Sequence, residues 1–124
     1  MQGFSTSVAE TNRQLSAKER VSFKDTSNAV KLDEATKESS LHIRPMIWGI
    51  LNIHNEKSDD KDYQNYVVIA DDGTKYVTGS QSFWSSFKEI ADEMENESEE
   101  WGVVVYRQPS KNYVGRDFIT CSIE

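Results

Sequence analysis

The segment from Leu41 to His54 constrains this chain most. Leu41, Ile43, Ile47, Leu51 and Ile53 share one parity, so a repeat of two places them on one face of an extended strand. The opposite parity carries His42, Arg44, Met46, Trp48, Ile50, Asn52 and His54. Pro45 cannot donate to a ladder and marks an edge or a bulge. Gly49 lets a long strand bend. A strand of this length with a bend in its middle suits a small barrel.

The flanking segments extend the reading. Val21 and Phe23 predict a first short strand, and Val30 and Leu32 a second, with a turn or single helical turn over 34–38. Tyr63 to Ala70 predicts a strand, Asp72-Gly73 a two-residue hairpin, and Thr74 to Thr78 the return strand. Ser80 or Ser82 is placed to cap a helix to about Asn96, in which Phe83, Phe87, Ile90, Ala91 and Met94 recur at helical spacing. Trp101 to Tyr106 and Arg116 to Ile123 predict the last two strands, joined by a loop over 108–115. Residues 1–19 are polar without a sustained period, which predicts a mobile arm ahead of one domain over 20–124. The fold class expected is mainly β: a five-stranded OB-like Greek-key barrel with one helix between strands 3 and 4. The alternative is an α+β sheet with a helix packed across it.

The charge is unevenly spread. The chain carries a net charge of −7. Over 81–100 Lys88 stands against Glu89, Asp92, Glu93, Glu95, Glu97, Glu99 and Glu100. Outside that segment the chain is close to neutral, so its acidity does not exclude a nucleic-acid partner. No apolar run is long enough to span a membrane, and one cysteine cannot make a disulfide scaffold. Without a basic region followed by an apolar stretch near Met1, a secretory signal is not expected and the cytoplasm is the expected compartment.

Chemistry is sparse. Cys121 shares parity with Ile119 and Ile123, so it is expected in the core. His42 and His54 would lie roughly 40 Å apart on a straight strand. Asp59, Asp60 and Asp62 lack the spacing of a calcium loop. No phosphate-cradling glycine motif occurs. No metal, no cofactor and no enzymatic activity are expected.

Two features point to nucleic acid. Arg44, Trp48 and Asn52 would line one face of the long strand, with Tyr66 and Tyr76 on the next two strands extending an aromatic platform. Stacking on such rings contributes about 1–3 kcal/mol per base, whatever the sequence. The second feature is the segment from Arg107 to Arg116, whose Arg107, Lys111 and Arg116 can meet phosphates while Tyr113 stacks.

The run Thr78-Gly79-Ser80-Gln81-Ser82-Phe83, followed by Phe87 and Ile90, resembles the strand-to-helix joint of small single-stranded-DNA-binding proteins of bacteriophages and mobile elements. The run from Arg107 through Tyr113 to Gly115-Arg116-Asp117-Phe118 is similar to their last hairpin. The resemblance covers about 41–124. It implies an OB-fold, sequence-tolerant binding of single-stranded DNA (or RNA), and a part in phage or plasmid replication or recombination. A homo-oligomer is compatible with it. Many such proteins recruit partners through an acidic tail, whereas the acidic segment here is internal. The competing function is an acidic protein-interaction or inhibitory module, in which the 83–100 helix docks a basic protein partner.

Overall fold

The computed structural model describes residues 4–57, 61–97, 99–110 and 117–124. The strands are β1 (Phe4–Thr11), β2 (Val30–Lys31), β3 (Leu41–Ile43), β4 (Pro45–Asn55), β5 (Asp62–Ala70), β6 (Lys75–Thr78), β7 (Val103–Pro109) and β8 (Asp117–Ile123). The helices are α1 (Ala17–Lys24), α2 (Leu32–Ala35) and α3 (Gln81–Met94). The fold is mainly β. The chain divides into two compact units, one of residues 1–30 and 46–79, the other of 31–45 and 80–124.

The first unit is built on the sheet β1-β4-β5-β6-β2. Its core cluster joins Leu15 and Phe23 to Ile47, Leu51, Ile53, Val67 and Val77. The odd-numbered face of the long strand thus buries as its alternation predicts. The β5–β6 hairpin turns at Gly73, whose φ of 90° suits a residue without a side chain.

The N-terminal segment departs from expectation. Residues 4–11, expected as part of a mobile arm, form β1 antiparallel to β4, with a register shift between Val8 and Glu10. Asn12 continues the pairing: its side-chain oxygen accepts from the Trp48 backbone N–H at 3.0 Å, and its own N–H donates to the Trp48 carbonyl. Val21 and Phe23, expected in a strand, lie in α1. A capping box starts that helix: the Ser16 hydroxyl accepts from the Glu19 N–H, and the Glu19 carboxylate from the Ser16 N–H. That local bonding decides for helix over the short alternation. Lys75 of β6 donates to the carbonyls of Ser22 and Asp25, placing a cation at the helix's negative end.

The second unit holds the sheet β3-β7-β8, with α3 against β8. Leu32, Ile43, Phe83, Phe87, Ala91, Val103, Val105, Ile119 and Cys121 are buried there. Phe87 sits among rings, with centroids 5.7 Å from Phe83, 5.6 Å from Trp84 and 6.3 Å from Trp101. The Ser80 hydroxyl caps α3 by accepting from the Phe83 N–H. The helix side chains Ser82 and Ser86 bond to β8, at the Ile119 carbonyl and the Thr120 hydroxyl.

Neither sheet closes on itself. The edge of β6 away from β5 pairs with β2. The element order from residue 41 onward is nonetheless the expected one: long strand, hairpin, helix, two strands.

Candidate nucleic-acid interface

The long strand splits at Arg44. Its first part, β3, pairs with β7, while β4 lies between β1 and β5. Pro45 explains the break, since its nitrogen has no proton for a ladder.

The even-numbered side chains divide between solvent and interior. Asn52 is exposed and accepts from the Gln64 amide at 3.0 Å. Trp48, by contrast, is 7% exposed and Tyr66 is 5% exposed. Neither presents a free ring face, so the aromatic platform expected from Trp48 and Tyr66 is not available to a base. Their alternation is real, but the sheet is buried on both faces there: Val68 is also buried, on the parity of Tyr66. Tyr76, opposite Val68 in the β5–β6 ladder, is half-buried, and burial raises its hydroxyl pKa.

The two described arginines of the expected site already hold acids. Arg44 is exposed and pairs with Glu100 at 2.8 Å. Arg107 is more deeply engaged. Its guanidinium donates to the Asp117 carboxylate at 2.9 Å, to the Thr36 hydroxyl at 3.1 Å and to the Asp33 carbonyl. Thr36 is itself buried and donates to the Leu32 carbonyl. Arg107 therefore ties α2 to the β7–β8 hairpin, a structural task that its sequence position did not reveal. Lys111, Tyr113 and Arg116 lie outside the described residues.

A polar depression of about 410 Å³ lies on the outer side of the first unit's sheet, lined by Ser5, Ser7, Asn52, His54, Asp62 and Gln64 among others. The His54 ring bonds through Nδ1 to Asp62 at 2.7 Å and through Nε2 to Glu56 at 2.6 Å. Carboxylates only accept, so both bonds are satisfied together by the imidazolium. Accordingly the His54 pKa is raised, first by the Asp62 bond and then by that to Glu56. Ser5 and Ser7 were missed as site residues, because a strand pairing at 4–11 was not expected. No local signal marks them, since the strand they pair with lies far along the chain.

Cys121 is buried, and its thiol pKa is pushed up to about 12 by desolvation, which makes it a poor nucleophile. Among the described residues no group of three or more His, Cys, Asp or Glu side chains is arranged to hold a metal ion. Nor is any helix among them long and apolar enough to cross a membrane. No protein-family model, curated protein or solved structure matches the chain.

Proposed function

We propose that the chain binds single-stranded nucleic acid as an OB-like module serving replication or recombination of a phage or mobile element. The observation that carries this reading is the divided strand. One length of chain, 41–55, pairs with β7 through β3 and with β5 through β4, and α3 joins β6 to β7. The neighbour pairs β4–β5, β5–β6, β3–β7 and β7–β8, with α3 between β6 and β7, support the OB-like reading. In such folds the second and third strands, with the first and last hairpin loops, meet the oligonucleotide.

The candidate contacts, taken within each unit by itself, then differ from an all-aromatic platform. Arg44 meets phosphate in competition with Glu100, and Asn52 offers hydrogen bonds. Tyr76 and Tyr113 supply the stacking, and Lys111 and Arg116 the remaining charge. Arg107 holds the hairpin in place. Such contacts bind without reading sequence.

The test is fluorescence anisotropy of a labelled oligo-dT strand at about 50 and about 200 mM salt. Three phosphate contacts, by Arg44, Lys111 and Arg116, give a log–log salt slope of about −2 and an affinity loss of roughly 20-fold across that range. Lys111→Ala with Arg116→Ala lowers the slope to about −0.7. No binding at the lower salt, or equal affinity for duplex, removes the reading.

The acidic-module reading is favoured by a separate observation: an apolar groove runs beneath the carboxylates of α3.

A further inference from the structure

We propose that the groove between α3 and β8 docks a basic segment of another protein, anchored by a large apolar side chain. This goes beyond nucleic-acid binding and stands without it. The groove has a volume of about 330 Å³. Ile90, Met94, Cys121 and Ile123 form its apolar lining, and Glu89 and Glu93 are its acids. Ile123 is 51% exposed, one of few large apolar side chains so exposed among the described residues. Burying these side chains against a partner removes apolar surface from water.

Charge selects the partner. Glu89 and Glu93, one turn apart on α3, form no ion pair among the described residues. The helix's single cation, Lys88, is engaged by Asp92 at 3.1 Å. The last turn of α3 contains no basic residue, and Glu95 is its C-cap. Carboxylates thus crowd the negative end of the helix dipole, an arrangement that a cation supplied from outside relieves. A Lys- or Arg-bearing segment satisfies rim and helix end together while its apolar side chain fills the floor. A second copy of this chain fits poorly, because two acidic rims would face each other. A polynucleotide is repelled by the same rim.

The probe is a short fluorescein-labelled peptide alternating lysine and leucine, titrated into the full chain. Saturable binding with one peptide per chain is expected. Glu89→Gln with Glu93→Gln weakens it about tenfold or more, and Met94→Ser or Ile123→Ser does the same without altering the circular dichroism spectrum. Glu38→Gln, an exposed acid elsewhere, leaves peptide affinity within about twofold, which separates the groove from general acidity. Oligo-dT affinity is measured in parallel and stays within about twofold in the groove variants. Loss of oligo-dT binding in the parent chain therefore strikes only the nucleic-acid proposal. The groove proposal is overturned if the peptide fails to saturate, or if the Glu89/Glu93 and Met94 variants bind it like the parent. It is equally overturned if sedimentation shows a dimer that Met94→Ser dissociates.

Discussion

Replacing Gly49 by alanine probes the join between the N-terminal segment and the long strand. A methyl group at this position would meet the Glu10 carbonyl oxygen well inside van der Waals contact, with Thr11 Cγ2 at 2.9 Å and Phe23 Cζ at 3.1 Å. None of these neighbours yields easily. Glu10 contributes backbone, the Thr11 hydroxyl donates to the Arg13 carbonyl at 2.6 Å, and Phe23 is 1% exposed within the core. Relief requires β1 to lift from β4 around Glu10↔Ile50 and Thr11↔Gly49. Losing one or two ladder bonds costs about 1 kcal/mol each, and overpacking adds about 1–3 kcal/mol. Against this, alanine narrows the unfolded ensemble by about 0.4–1 kcal/mol. The net destabilisation is about 1–4.5 kcal/mol, or a fall in Tm of roughly 5–20 °C for a domain of this size. Urea and thermal unfolding followed by tryptophan fluorescence measure it. Gly79→Ala is the control, since among the described residues a Cβ there meets only Asn65 Oδ1, at an ordinary 3.5 Å. Gly49→Ala within about 0.5 kcal/mol of the parent refutes the close approach of β1 and α1 to the strand.

Three further outcomes follow from the same geometry. His54 titrates by NMR above the ordinary histidine value; because its folded pKa is raised, its stabilising share is fully present below about pH 6.5 and fades as pH rises through the folded pKa, and Asp62→Asn lowers that pKa. Arg107→Ala destabilises by about 2 kcal/mol in urea, since it strands charged hydrogen bonds at Asp117 and Thr36, whereas exposed Arg44→Ala changes stability by less than about 1 kcal/mol. Cys121 in the folded chain reacts with iodoacetamide at pH 8 more than about a thousandfold slower than a free thiol, and reacts fully once the chain is unfolded in urea.

Much of the architecture was legible because its signals are local. The parity of Ile47, Leu51 and Ile53 located the core face, Asp72-Gly73 the hairpin, and Ser80 with Phe83 and Phe87 the start and buried stripe of α3. What escaped was decided by distant partners. Nothing near Ser5 announces that it pairs with His54, and nothing near Val30 announces that it takes the edge of β6. The first of these turns part of an expected arm into structure. The site was legible only as residue types. An aromatic on a strand serves a base or a core equally well by sequence, and for Trp48 and Tyr66 burial decided for the core. Arg107 read as a phosphate contact because Thr36 and Asp33, which it holds, lie far away in sequence.

The most direct measurement is a heteronuclear NMR titration of the full chain with oligo-dT at low salt. The account predicts shifts for Arg44, Asn52, Tyr76 and the segment from Lys111 to Arg116, while the Trp48 indole and Tyr66 ring signals stay in place. Shifts confined to α3, a displaced Trp48 indole, or an unchanged spectrum contradict it.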